Sequence, residues 1–512
     1  MEVEAVNESL TPDERRRAWW ILSINTFAFT ICFAAWMMNG VLTTFLVDNG
    51  VYEWGPSEIG WLIGVPVLTG AIFRLPMGLA TDKWGGRYVY GLLLLISAVP
   101  MFLVGFCDNY WQFILAGLGF GFTGTSFAIG IAYTSIWFPK HRQGTALGIF
   151  GAGNAGAALT SLGAPQLLNW LTDGGTNLEG WRNLPRIYAG LLVATGIIFL
   201  LTTTNRLPPG STQKTLAQRL TPLRSIRVWR FGLYYFFVFG GFVSLAQWLV
   251  PYYVNAYATS VALAGALAAC NSLPSGVIRA AGGWMSDKWG ARAVMYWVLG
   301  LSLACCAFLT VPQMDIRSPG SGIMAKATGR VTSVTDNEIV VDSKSGQSKT
   351  YKLDRKAGEL VTAEERAQRV LVFPRSQAWQ EAAVKEGQEV KKKELLARGV
   401  TEIFFQANIW IFTGLSLILG AVMGIGKAAV YKHIPDYFPD DVGVVGGIVG
   451  VLGGLGGFVC PVVFGYLLNV TGLWTSCWMF FMVLIVVCLA WMHIVVQKML
   501  KKEAPEISRR IE

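Results

Sequence analysis

IFRLPMGLATDKWGGR, residues 72–87, is answered later in the chain by VIRAAGGWMSDKWGAR, residues 277–292. In each copy an arginine stands eight residues ahead of an aspartate, Arg74 before Asp82 and Arg279 before Asp287, and Lys-Trp-Gly follows. A second pair of segments repeats the relationship. SIWFPKHRQG from Ser135 is matched by PDYFPDDVG from Pro435, and each leads into a glycine-rich apolar run. A chain built twice from one plan, with each copy rich in apolar runs, predicts two parallel halves with a binding site between them near the bilayer midplane.

Composition places both halves in a membrane. The 512 residues are 53% hydrophobic and 14% charged, with a mean hydropathy of +0.45. Apolar runs of about 20 residues match a hydrocarbon core of roughly 30 Å. About twelve spans can be drawn, at 19–47, 58–80, 88–107, 110–138, 144–170, 187–205, 230–257, 261–285, 293–312, 402–433, 442–470 and 473–497. The domain reading is a tail (1–18), a six-helix half (19–206), a linker (207–229), helices seven to nine (230–312), a polar insert (313–400), helices ten to twelve (401–497) and a second tail (498–512).

The loop DKWGGR/DKWGAR resembles the loop that marks the major facilitator superfamily between its second and third helices. The fold class expected is therefore all-α membrane, a major facilitator fold of two six-helix halves with a small β-rich periplasmic insert. Asp82, Arg87, Asp287 and Arg292 of these loops are read as gating residues, placed to cap a helix or pair with a neighbouring one as the halves rock.

The net charge of +10 is not a nucleic-acid footprint. Arg15, Arg16, Arg17, Lys83, Arg87, Lys140, Arg142, Arg219, Arg224, Arg227, Lys288 and Arg292 all fall in short loops on one side, while the opposite loops are acidic or neutral. That bias predicts both termini in the cytoplasm of a multi-pass protein of the bacterial inner membrane. The opening MEVEAVNESLTPDERRRAWW reads as a retained tail. All eight cysteines lie in or beside apolar spans, so no disulfide is expected. No nucleophile–base pair, metal-ligand cluster or cofactor motif is found. GIGKAA from Gly424 lacks the spacing of a phosphate loop. The chain is read as a non-enzyme without cofactors, and as a monomer.

Orientation puts the insert in the periplasm. GRVTSVTDNEIVVDS and KTYKLD alternate as strands do. VKEGQEVKKKELLARG resembles the turn of lipoyl-type barrel modules but presents no modifiable lysine in their motif. A small β ornament, or a docking surface for an unidentified periplasmic partner, is expected.

Three charges lie deep in spans: Arg74, Arg279 and Lys427. Each costs at least a few kcal/mol to bury in a bilayer without a partner. The arginines sit about 12 Å from their loops at about 1.5 Å per residue, and no Asp, Glu or His stands at matching depth. Two arginines on symmetry-related helices point to a mobile anion gripped by guanidinium forks. The competing reading has them bonded to backbone carbonyls, holding helices together. Lys427 is either a third site charge or a packing residue. Asn154, a mid-span amide in FGAGNAGAALTSLGAP, needs a partner and can donate to an oxyanion.

The Gly-Ala-Gly-Asn-Ala-Gly run from Gly151, with Pro165 after it, resembles the signature of the nitrate/nitrite porter family, and GVVGGIVGVLGGLGGFVCP from Gly443 resembles its second copy. The resemblance covers both membrane halves and leaves out the insert. It implies that Arg74 and Arg279 grip the anion and that Asn154 assists. It further implies that Tyr235 and Phe239 on the seventh helix and Phe127 on the fourth line the site. The chain departs from the family at Ala157 and Ala158, where glycine is frequent, and at Lys427, where a small polar residue is common. Without a buried carboxylate to take up a proton, exchange of nitrate for nitrite by alternating access is favoured. Nitrate/proton symport through Lys427 is the first alternative. An organic phosphate antiporter and a non-transporting anion sensor follow it.

Overall fold

The computed structural model describes residues 11–207, 221–311, 314–343, 347–353, 375–405, 408–438 and 442–503. The chain divides into two compact units, Met1–Thr310 with Thr413–Glu512, and Val311–Phe412. Most of the 207–229 linker and the ends of both tails lie outside the described residues.

The described elements of the first unit are all helices, because a helix satisfies its backbone polar groups without water. Its helices are α1 (Pro12–Asp48), α2 (Pro56–Trp84), α3 (Gly86–Phe106), α4 (Tyr110–Ser135), α6 (Leu178–Thr202), α7 (Ile226–Tyr257) and α9 (Ala291–Leu309), with α10 (Ile409–Tyr437), α11 (Val442–Thr471) and α12 (Ser476–Glu503). Between α4 and α6, α5 is composed of Lys140–Gly151, a 3-10 turn Ala152–Ala155, and Gly156–Leu171. A bent pair, Val261–Val277 and Arg279–Trp289, makes α8. Among the described residues ten helices are long and apolar enough to cross a bilayer, or eleven with the bent pair counted as one span. The span drawn at 144–170 is the interrupted α5.

Several boundaries move. The first helix starts at Pro12 rather than 19, because Thr11 and Glu14 form a capping box that extends the helix into the charged tail. The seventh starts at Ile226 rather than 230. The tenth starts at Ile409 rather than 402, because the apolar run ending at Phe405 is taken up by a strand.

The repeated Lys-Trp-Gly has a local cause. Gly85 and Gly290 end α2 and α8 with φ of +86° and +84°. A side chain is rarely tolerated there, so glycine closes each helix and starts the next.

The second unit is a β module. Its strands are β1 (Met314–Met324), β2 (Gly329–Val334), β3 (Glu338–Ser343), β4 (Ser348–Lys352), β5 (Arg375–Ala382), β6 (Glu389–Val390) and β7 (Leu395–Phe405). They form a sheet of order β1-β7-β5 and another of order β4-β3-β2-β6. Val331, Ile339, Val341, Tyr351, Val390 and Leu396 make its core. Alternation along β2 and β3 turns every second residue inward, as the sequence pattern implies.

Candidate functional site

Five helices lose regularity beside the candidate residues, whereas α10, which carries Lys427, runs unbroken from Ile409 to Tyr437. α2 breaks at Phe73, immediately before Arg74. α4 runs as a 3-10 turn over Gly121–Thr125. α5 does so over Ala152–Ala155, which holds Asn154. α7 carries a π turn over Phe236–Gly241, which holds Phe239. α8 breaks at Ile278, immediately before Arg279. Such breaks release backbone carbonyls from the helical ladder, and in a membrane they persist only where protein or a cavity accommodates them.

Arg74 uses one such carbonyl, of Gly124, and one from the unbroken α11. It is 2% exposed. Its Nη1 donates to the Gly450 carbonyl of α11 at 2.6 Å, and its Nε to the Gly124 carbonyl of α4 at 3.4 Å. The first of these bonds crosses from one half to the other. Its Nη2 is buried and has no partner. Rings of Trp36, Phe127 and Phe239 surround the guanidinium, with centroids 5.8, 5.3 and 4.9 Å from Cζ.

Arg279 is placed differently. It is half-buried, and its buried Nη1 has no hydrogen-bond partner. It faces Phe127 and Tyr431, each with its ring centroid 5.5 Å from Cζ. A Cβ at Gly151 would come within 3.3 Å of its Cδ, so the glycine at the head of the α5 run makes room for this side chain. The symmetric spacing suggested equal roles. The structure instead gives Arg74 two carbonyl tethers and leaves the buried amino group of Arg279 unspent.

The aromatic residues meet at the arginines. Phe127 lies between them, and its ring stacks on Phe239 at 6.1 Å. Tyr235 stacks on Phe239 at 5.1 Å and meets Tyr431 edge-on at 5.0 Å. The buried Tyr235 hydroxyl lies among Tyr431 and both guanidinium groups, without a hydrogen bond of standard geometry. Asn154 is fully buried with neither its oxygen nor its nitrogen partnered. Its turn packs on α8, since a Cβ at Gly276 would meet Asn154 and Ala155 backbone atoms at 3.0–3.3 Å. Buried amides without partners are rare, because each costs about 1–3 kcal/mol.

Lys427 is fully buried, and its Nζ has no hydrogen-bond partner. The ammonium sits 3.5 Å from the centroid of the Phe242 ring, and Arg279 is the cation whose charge reaches it. Phe242 supports it through a cation–π contact. Among the described residues, no Asp or Glu bridges Arg74, Arg279 or Lys427. Ion pairs elsewhere among the described residues include Arg182 with Asp108 and Glu179, and Lys432 with Asp287.

Tyr431 and Trp36 were missed in the sequence. Tyr431 is one turn beyond Lys427 on α10, and its hydroxyl donates to the Gly446 carbonyl at 3.0 Å. That i, i+4 relation to a buried cation was the available signal. Trp36 had none, since its indole nitrogen is held by the Pro66 carbonyl at 2.9 Å through tertiary packing.

The motif loops bind within their own halves. Arg87 donates twice to the Leu200 carbonyl, at 3.0 and 2.6 Å, near the end of α6. Asp287 pairs with Lys432 at 2.7 Å, and Arg292 donates to the Tyr437 hydroxyl at 2.9 Å. Asp82 lies in the last turn of α2, half-buried.

The halves close tightly on the side of the site away from these loops. A Cβ at Gly60 of α2 would lie 2.5 Å from the Pro461 carbonyl of α11, and one at Gly265 of α8 would overlap the Ser161 carbonyl of α5.

Comparison with known proteins adds the family. The model of the Major Facilitator Superfamily matches residues 24–325 and 395–510. The chain is 35% identical over 511 residues to the probable nitrate/nitrite antiporter NarK1 of Thermus thermophilus, covering 99% of this chain and 97% of that protein. It is 23% identical over 457 residues to the nitrite extrusion protein of Bacillus subtilis, covering 88% of each. Its fold matches a bacterial homologue of the human lysosomal transporter Spinster in an inward-facing, unoccupied conformation. That match has a TM-score of 0.62 at 13% identity, and covers 96% of this chain and 99% of the other. A cage of buried cations between two six-helix halves and these matches converge: the chain belongs to the nitrate/nitrite porter family of the major facilitator superfamily.

Proposed function

We propose that the protein carries nitrate and nitrite across the bacterial inner membrane, exchanging one for the other by alternating access at the Arg74–Arg279 site. One observation carries this reading. Buried guanidinium nitrogens of both arginines lack partners inside an aromatic cage that has no carboxylate among the described residues. A planar oxyanion beside the two guanidinium groups supplies the charge and acceptors that are wanting. Asn154 and Tyr235 add neutral donors on the same scale. The loaded carrier is compensated and reorients, whereas the empty one holds bare charge.

Both termini and the motif loops are assigned to the cytoplasm and the β module to the periplasm, on the loop charges. The glycine contacts then close the periplasmic side. The loops in this state gate by bracing their own half, and Asp82 and Arg87, with Asp287 and Arg292, exchange partners when the halves rock.

Counterflow tests the exchange. Liposomes preloaded with nitrite should take up labelled nitrate without a pH gradient, and those loaded with buffer alone should not. Uptake that requires an imposed proton gradient overturns exchange.

Symport is the second reading, and Lys427 is the observation that favours it, since a buried ammonium without a hydrogen bond is a candidate proton carrier. Under exchange, Lys427→Met should raise KM for nitrate by about tenfold, roughly 1.4 kcal/mol, and keep flux at saturating nitrate. Loss of flux at every nitrate concentration, together with loss of proton movement, identifies Lys427 as the proton carrier instead.

A further inference from the structure

A second cationic cleft lies in the C-terminal half, away from the anion cage. It is a half-open depression lined by Arg230, Tyr234, Arg292, His433 and Tyr437, with Met492, Val495, Val496 and Met499 of α12 forming an apolar wall. Its position is set by helix ends on the motif-loop side. Arg230 is in the second turn of α7, Arg292 follows the start of α9, Tyr437 ends α10, and Met499 is near the end of α12.

Among the described residues its cations have no acidic partner. Arg230 is 8% exposed and, among the described residues, makes no hydrogen bond or ion pair; its guanidinium lies 5.3 Å from the Phe231 ring centroid. Arg292 donates to Tyr437 and to the Met499 sulfur. Arg227, exposed on the same helix as Arg230, lies over the Tyr437 ring at 5.0 Å. The Tyr234 hydroxyl is buried without a partner. His433 stacks face to face on Phe231 at 5.3 Å. No described carboxylate lines the cleft.

The surroundings indicate a bilayer surface rather than open water. Ile226 and Trp229, on the first turn of α7, are 66% and 46% exposed, and the Trp229 indole is anchored to the Leu223 carbonyl at 2.8 Å. Tryptophan beside arginine is the composition of a membrane interface, and basic pockets between helix ends there accept lipid phosphates.

We propose that this cleft holds the phosphate of an anionic phospholipid headgroup. Arg230 and Arg292 pair with the phosphodiester, and Tyr234 donates to it. The acyl chains run along Met492, Val495 and Val496. The lipid would tie α7, α9, α10 and α12 together at the end of the half where its motif loop operates. The inference is independent of the cargo, because neither Arg230 nor Tyr234 belongs to the anion cage.

The test uses the full-length protein purified in detergent, with phosphatidylglycerol, phosphatidylcholine and inorganic phosphate as separate probes. Native mass spectrometry should retain phosphatidylglycerol, and thermal unfolding should rise with it and not with the other two. Arg230→Gln should weaken that binding by about tenfold or more, the loss of one charge-assisted contact. Val495→Trp, which fills the apolar wall without altering charge, should weaken it as well, and nitrate binding should persist in both. Equal retention of phosphatidylcholine, or unchanged phosphatidylglycerol binding in Arg230→Gln, overturns the proposal. Protection by inorganic phosphate equal to that by phosphatidylglycerol overturns the lipid as occupant and assigns the cleft to a soluble oxyanion.

Discussion

Arg279→Lys is expected to reduce nitrate exchange by at least about a hundredfold while leaving thermal stability near that of the parent protein. The buried Nη1 of Arg279 has no partner in the protein, so its directed donors are free for cargo. A lysine keeps the charge but cannot present a planar fork to a planar anion. Hydrogen bonds to charged groups contribute about 1.5–3 kcal/mol each, and losing one or two of them accounts for the factor. Arg74→Lys should cost a similar amount of flux and also lower the unfolding temperature. That arginine is tethered to the Gly450 and Gly124 carbonyls, which an ammonium cannot serve from the same position. Labelled nitrate flux in liposomes, measured beside unfolding in detergent, separates the two. Wild-type transport by Arg279→Lys would remove the anion site from this cage.

Gly265→Val is expected to lower exchange by more than tenfold with nitrate binding retained. The α8 backbone approaches α5 so closely there that a Cβ would run into the Ser161 carbonyl and sit 2.9 Å from Pro165 Cγ. Backbone cannot yield as a flexible side chain does, so the closed arrangement of that side is lost. The cage lies deeper, at Gly276 and Arg279 on the same helix, and stays intact. A cysteine introduced near residue 261 should become more reactive to a membrane-impermeant reagent in the valine variant. Normal exchange with unchanged labelling would mean that this contact plays no part in closure. Gly60→Val, against the Pro461 carbonyl, should behave alike.

Much of the fold was open to reading in one dimension. Repeated Arg-to-Asp spacing and Lys-Trp-Gly endings are local requirements, and the helix-closing φ of Gly85 and Gly290 shows why each copy needs its glycine. The strand ending at Phe405 was less legible. A short apolar run next to a span looks like the start of that span until its partner strand, β1, is known.

The sequence by itself determined the membrane class, the duplicated halves and the identity of the buried cations, since a charge amid apolar residues is conspicuous without coordinates. Tertiary structure decided how those cations are employed. Arg74 is anchored across the halves, Arg279 is not anchored by its buried amino group, and Lys427 leans on an aromatic ring. It also brought in Tyr431 and Trp36, and it placed the irregular turns of five helices beside the candidate residues. Hydrogen bonds between residues hundreds of positions apart depend on which carbonyls a neighbouring helix brings within reach. That is a property of packing, and no spacing along the chain encodes it.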